Sequence, residues 1–318
     1  MFGSPALKRM LPLLVLVVAG FALPGNVPEY YLYLGNVLMV WAVLAIGLDL
    51  LLGWAGQFAF AHTAFFGIGC YTTAVLQIRY GVPFVVGMPV GAVLAGLVGV
   101  LVALPSTRMK SVYLALATFA FAEGAYWVFH SWVAVTNGPD GLRLPPADVL
   151  GFAMGTDRKA FPVLAVMLAL VVAATMYLLS SKLGRNLVAI RESEHVAMAS
   201  GIDVRMTKVI AFVLSAIYAA VAGSMFTLHQ SYVNPEQFGF VTIVLVLSMI
   251  VVGGMGTLPG VLIGVVILGL LPELLRTVLR NLQVWQELVY GSILMLTMMF
   301  MPRGIWGAVK SLLQRGKK

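Results

Sequence analysis

Long uncharged apolar stretches alternate with short charged punctuation along nearly the whole chain. Segments without Asp, Glu, Lys or Arg include Met10 to Pro28, Tyr30 to Leu48, Leu50 to Ile78, Gly81 to Thr107, Ala160 to Ser181, Val209 to Pro235 and Gln237 to Pro272. A hydrocarbon core about 30 Å thick needs roughly 20 apolar residues at about 1.5 Å per residue, so most of these runs match one crossing. Gln237 to Pro272 is too long for one crossing, and Gly253-Gly254-Met255-Gly256-Thr257-Leu258-Pro259-Gly260 inside it must turn. Glycine, proline and charge then place helices near 10–23, 35–53, 58–78, 83–104, 111–132, 160–180, 209–229, 237–252, 259–277 and 285–301. The pattern predicts an all-α, polytopic integral membrane helix bundle of about ten transmembrane helices, with eight or nine also compatible, in one domain over 1–318. Gly56, Gly67 and Gly69 crowd the third segment, which could be continuous or re-entrant.

Composition changes the picture only by closing the soluble alternative. The chain is 61% hydrophobic and 10% charged, too little charge to cover a water-soluble surface. The formal charge of +8 does not indicate a nucleic-acid binder, because the bases are scattered between apolar runs and form no basic face. They act instead as topology signals. With a cytoplasmic N-terminus, most bases fall on inner loops, among them Lys8, Arg9, Arg108, Lys110, Lys182, Arg185, Arg191 and Arg205. The outer loops hold Arg79, Arg143, Arg158, Lys159, Arg276 and Arg280, balanced by acids, and both termini come out cytoplasmic. The first segment is read as a retained helix rather than a cleaved signal peptide, since cleavage would invert every later loop. Cys70 is the one cysteine, so no intrachain disulfide forms, and among glycines and aromatics it reads as a small buried hydrophobe.

Small residues recur every four positions at Gly87, Gly91, Ala95, Gly99 and Ala103, at Ala216, Ala220 and Ser224, and at Gly260 and Gly264. Lipid supplies no hydrophobic drive between helices, so such stripes predict close interhelical packing. Ionisable groups at depth are costly and few: Glu123 near mid-span, Asp49 and Glu273 nearer span ends where water reaches them, and His62, His130 and His229. Glu123 reads either as a polar group on a pathway or as a protonated or hydrogen-bonded tie to a neighbouring helix. Each histidine taken alone reads more readily as a satisfied core residue than as a ligand or relay.

Catalytic signatures are missing. The sequence holds no Gly-x-x-x-x-Gly-Lys-Ser/Thr loop, no His-Glu-x-x-His and no Gly-x-Ser-x-Gly. The expectation is a non-catalytic transporter subunit with no metal site and no cofactor of its own, driven by an ion gradient or by another subunit. The long insertion over 181–208 favours the second source. Leu187, Ile190, Glu194 and Ala197 share one helical side, and Gly201 is placed to cap the C-terminus. The segment mixes signs and is weakly apolar, which fits a docking helix better than a lipid-seeking one.

Four blocks of residues resemble the permease subunits of branched-chain amino acid ABC importers, in particular the LivM branch of the LivH/LivM family. They are Gly47 to Gln57 continuing through His62 to Tyr71; Thr118 to Glu123 with Thr136 to Gly141; Gly184 to Ile202; and Val251 to Thr257 reaching Glu273. The resemblance implies a bacterial inner-membrane permease that imports branched-chain or related amino acids. It would pair with a second, LivH-like permease, two cytoplasmic ATPase subunits that bind the ATP, and a periplasmic substrate-binding protein. It further implies that Gly184, Arg185, Ala189, Arg191, Glu192, Gly201 and Ile202 belong to an ATPase-coupling segment. Gln57, His62 and Glu123 would line the translocation pathway, and Asn137, Gly138, Pro139 and Gly141 would lie on the outer loop 133–159, near the binding protein. Two rivals remain: the same architecture moving urea, short amides or aromatic acids, and a proton-coupled secondary transporter using Glu123, Asp49 and His62.

Overall fold

The computed structural model describes residues 17–18, 20–25, 27–107, 109, 111–149, 151–278, 288, 291–292, 295, 299, 304–307 and 310. Most of the expected spans at 10–23 and 285–301, and both termini, lie outside the described residues. Between them the sequence pattern becomes a helix bundle. The helices are α1 (Glu29–Asp49), continued by a π-helical turn over Leu50–Trp54, then α2 (His62–Tyr80), α3 (Phe84–Ser106) and α4 (Ser111–Ser131). After the short α5 (Val133–Thr136) come α6 (Asp157–Ser180), α7 (Lys182–Glu192), α8 (Glu194–Ala199), α9 (Val204–His229), α10 (Phe240–Gly253) and α11 (Leu258–Val278). Among the described residues five helices are long and apolar enough to cross a membrane, and α10 and the Leu258–Glu273 part of α11 are shorter apolar helices.

The start of α1 differs from the sequence expectation at 35. Pro28, at ψ 147, holds the chain extended and releases it into a helix at Glu29. Tyr30, Tyr31 and Tyr33 make the first turns exposed and amphipathic, as at a membrane interface, and so hid them from an apolarity count. The third segment starts at His62 rather than 58, and α2 is then one continuous helix. In the irregular stretch before it Ala55, Gln57, Ala59 and Ala61 are buried while Gly56 and Phe58 are exposed, so alternate residues turn into the protein, where non-helical backbone at membrane depth is tolerated.

α9 is the central post. It packs along α2, α3 and α1, while α1 also contacts α6 and α11, and α10 and α11 form a tight pair. The stripe on α3 faces inward as expected: Gly87, Gly91, Ala95, Gly99 and Ala103 are buried, while Val90, Val93, Leu97 and Leu101 point outward. A Cβ on Gly99 would lie 3.0 Å from the Cβ of Ala216, so the two stripes meet. Thr73 and Ser224 share a 2.8 Å hydrogen bond in the same seam. Cys70 is fully buried there.

The segment after α6 was expected to be one helix and is two. Ser193 is extended at φ −163, and its hydroxyl accepts from Val196 N to start α8. Gly201, at φ +79, closes α8: its N–H donates to Met198 O and that of Ile202 to Ala197 O, the paired bonds of a Schellman stop. Gly184 does not loosen this segment. It sits in the first turn of α7, where a Cβ would overlap the backbone of Leu179 at the end of α6. At the opposite end of the bundle the fold is not purely helical. Leu142–Arg143 (β1) pairs antiparallel with Tyr232–Val233 (β4), and Ala147–Val149 (β2) with Phe152–Met154 (β3). The bundle thus has a strand end and an α7 end.

Candidate functional site

At the α7 end, α1 leaves regular helical geometry. Ala55 N donates to Leu50 O at 3.2 Å, five residues back, and Gln57 N donates to Leu51 O at 3.0 Å. Such π turns are rare and gather at functional positions. This one brings Trp54 back over Asp49: the indole Nε1–H donates to Asp49 Oδ2 at 3.1 Å. Asp49 Oδ1 accepts the backbone N–H of Gly256 at 2.8 Å. Gly256 stands at φ +71 in the turn between α10 and α11, a conformation suited to glycine. The third member is Arg191 of α7, whose Nη1 donates to the carbonyl of Gly53. A Cβ on Gly256 would lie 2.6 Å from that same nitrogen.

Three segments far apart in sequence therefore meet at one point: the end of α1, the α7 helix and the α10–α11 turn. Gly53 admits the meeting, because a Cβ there would overlap both Asp49 Oδ1 and the Gly256 nitrogen. The second block joins next door, where Thr118 of α4 accepts from Phe60 N at 2.9 Å. The expectation that water reaches Asp49 is corrected: it is 2% exposed and held by two fixed donors. Its place near the end of a span suggested solvent, but the following loop and the α10–α11 turn fold over it.

The coupling-segment residues divide between inside and outside. Leu187, Ile190 and Ala197 are buried, whereas Glu194, assigned to the same side, is exposed and pairs with Lys208. The break at Ser193 turns α8 away from the α7 register. Arg185 reaches Ser180 O, at 3.4 Å, and Ala189 is partly buried. Glu192, Val196 and Met198 are exposed around the kink. Arg191 is exposed overall, and its guanidinium reaches back to Gly53 O, which ties α7 to the end of α1.

The other expected site residues are not brought together. His62 is 3% exposed and bridges two helices. Its Nε2 lies 2.8 Å from Leu44 O, and since a carbonyl only accepts, the ring proton sits on Nε2. Nδ1 then accepts from the Ser215 hydroxyl at 3.1 Å. This is the satisfied core histidine. Gln57 is 5% exposed, and its Nε2 has no partner among the described residues. Glu123 is half-buried on α4, between the exposed Leu116, Ala120 and Trp127 on one helical face. Among the described residues it makes no hydrogen bond or ion pair.

At the strand end, Asn137 takes the left-handed φ of 62 and its Nδ2 donates to Gly141 O at 2.8 Å. Gly138, Pro139 and Asp140 form a short 3₁₀ turn, and Tyr232 Oη donates to Asp140 O. This part of the 133–159 loop is therefore a folded cap anchored on β4. Sequence reasoning missed a further cluster there. His229 Nδ1 lies 2.6 Å from Asp157 Oδ1, which also accepts from Asn36 Nδ2 at 2.9 Å. The three residues come from three helices and no local spacing signals them.

A family model for the branched-chain amino acid transport system permease component matches residues 30–298, which includes every member of the Asp49–Gly256–Arg191 junction. The chain belongs to that family. The permease is 29% identical to the high-affinity branched-chain amino acid transport system permease protein LivM of Escherichia coli K12, over 94% of this chain and 75% of that protein. It is 27% identical to the corresponding LivH protein of the same organism, over 84% of this chain and 91% of LivH. A probable LivM protein from Methanocaldococcus jannaschii is 25% identical over 67% of the permease and 65% of its own length. No solved structure matches.

Proposed function

We propose that this permease is the membrane-spanning, non-catalytic subunit of an ATP-driven importer for branched-chain amino acids, with its α7 end in the cytoplasm of a bacterial inner membrane. The observation that carries the reading is the junction of α1, α7 and the α10–α11 turn. α7 and α8 are short, lie outside the long helices and expose Glu192, Val196 and Met198. A partner pressing on that surface moves Arg191, and through Gly53 and Gly256 moves two membrane segments together. An ATPase dimer closing beneath two such permeases would convert its stroke into alternating access by this route. The partners in this reading are a LivH-like permease, two ATPase subunits and a periplasmic binding protein facing the strand end. Similarity of one chain to both LivM and LivH supports a pseudo-symmetric pair.

The exposed face of α4 fits the second permease. A carboxylate at mid-span is costly against lipid, so Leu116, Glu123 and Trp127 are better placed against a partner helix or a polar pathway between the two permeases. Replacing Glu123 by glutamine is expected to lower leucine uptake at least fivefold without reducing recovery of the assembled complex. Unchanged uptake would remove Glu123 from the pathway. The proton-coupled alternative has little support, since Asp49 and His62 are both engaged by fixed protein groups.

The deciding experiment is purification of the tagged permease from its native membrane in mild detergent, followed by reconstitution. Co-purifying ATPases and a second permease, with leucine uptake that needs both ATP and the binding protein, is the expected result. A lone chain whose uptake follows a pH gradient would overturn it.

A further inference from the structure

A cavity of about 280 Å³ opens between α1, α2, α9 and α10 in the half of the bundle nearer the strand end. It falls close to the lower bound of small-molecule sites, which run from about 300 to 1,000 Å³. Its wall is apolar and aromatic: Val37, Trp41, Phe66 and Phe226, with Tyr33 at the edge. Its polar side is made by His229, Gln230, Gln237 and Thr242. The His229 side chain is fully buried, the Tyr33 ring lies tilted against its ring at 4.7 Å between centroids, and its Nε2 has no partner among the described residues.

The chemistry of that nitrogen is set from the other side of the ring. Asp157 accepts at Nδ1, so Nδ1 carries the proton and the neutral ring presents a lone pair at Nε2. A buried acceptor without a donor is an unusual feature in a native fold and calls for a ligand or a water to complete it. A second, more polar cavity of about 200 Å³ shares His229 and Gln230 with the first and is lined by Glu29, Thr156, Asp157 and Ser231. The pair forms a polar antechamber and an apolar chamber with His229 between them.

We propose that the apolar chamber is an amino-acid site inside this one subunit. The aliphatic side chain of the substrate lies against Trp41, Phe66 and Phe226, and its ammonium donates to His229 Nε2. The inference rests on the proposed import of branched-chain amino acids and adds where, within the permease, their side chains are sorted. The chamber matches an aliphatic side chain in both chemistry and size. A basic or acidic side chain would be left unpaired against the aromatic wall, which sites of this kind reject strongly.

The test uses a diazirine analogue of leucine, irradiated with the full permease complex in native membrane vesicles, with the labelled peptides mapped by mass spectrometry. Label is expected in the 33–41 and 226–229 segments, displaced by excess leucine and not by lysine. Val37→Phe narrows the chamber from a half-buried position and is expected to lower that label at least fivefold at unchanged elution of the complex. Val37→Ala widens it and is expected to admit a diazirine analogue of phenylalanine that wild type labels weakly. His229→Gln keeps an acceptor and retains more label than His229→Phe. Absence of label from both segments, label that leucine does not displace, or equal label in wild type and Val37→Phe would each overturn the site. Leucine uptake in the same vesicles separates the two readings: uptake without displaceable label rejects the chamber alone, and displaceable label without uptake rejects the transport role alone.

Discussion

Asp49→Ala is expected to reduce ATP-dependent leucine uptake below a tenth of wild type in a chain that still inserts and purifies as one species. The carboxylate is buried and accepts from Gly256 N and Trp54 Nε1, so both donors, each partly buried, lose their partner. A fully buried orphaned donor costs about 1–3 kcal/mol, and two partly buried ones at the low end of that range together reach the roughly 1.4 kcal/mol that corresponds to a tenfold change. The cost falls on the junction rather than on the bundle, so loss of coupling precedes loss of fold. Asp49→Asn keeps one accepting oxygen and is expected to fall between the two. Arg191→Ala acts on the same junction, so its effect and that of Asp49→Ala should be less than additive in the double variant. Uptake within twofold of wild type in Asp49→Ala would mean that the junction is not on the coupling route.

Gly69→Val is expected to lower the recovery of folded permease more than tenfold, read as the monodisperse fraction on fluorescence-detected size exclusion. Gly69 of α2 faces the backbone of α9 so closely that a Cβ would overlap Ala220 O and Cα. The obstacle is main chain on both sides, which cannot rotate away as a side chain can. Even overpacking against side chains costs about 1–3 kcal/mol, and separating the two helices would also break the Thr73–Ser224 bond and the seam around it. Gly69→Ala should show a smaller loss in the same direction. Gly124→Ala is the control: a Cβ there meets nothing within 4 Å, and no loss is expected. Equal recovery of Gly69→Val and wild type would show that the α2–α9 seam yields, against the packing described above.

Individual residues show how far local sequence reached. The α3 stripe was legible because its period matches the helix and its reason, close approach in lipid, needs no knowledge of the partner. Gly201 was legible as a helix stop for the same local cause. Asp49 was misjudged because depth along a helix does not reveal what folds over its end. The kink at Ser193 was missed because both halves of the segment have helix-forming composition, and a one-residue break leaves no compositional mark. Glu123, read from sequence as either a pathway group or a tie, and His62, read more readily as a core residue, were both polar groups at depth, and their neighbours show how each is held. His62 found Leu44 and Ser215, and Glu123 found no partner among the described residues.

The sequence by itself determined that this chain spans a membrane as many helices, where most of them turn, and which family its polar blocks resemble. Those properties follow from apolar length, glycine and proline position and residue identity, all of which are local. The tertiary structure decided that Asp49, Gly53, Arg191 and Gly256 form one junction, and that Asn36, Asp157 and His229 meet beside a cavity. These groups lie up to about two hundred residues apart, and their meeting depends on how helix faces are rotated against one another. That rotation is set by the sum of many small contacts, so no single stretch of the chain records it.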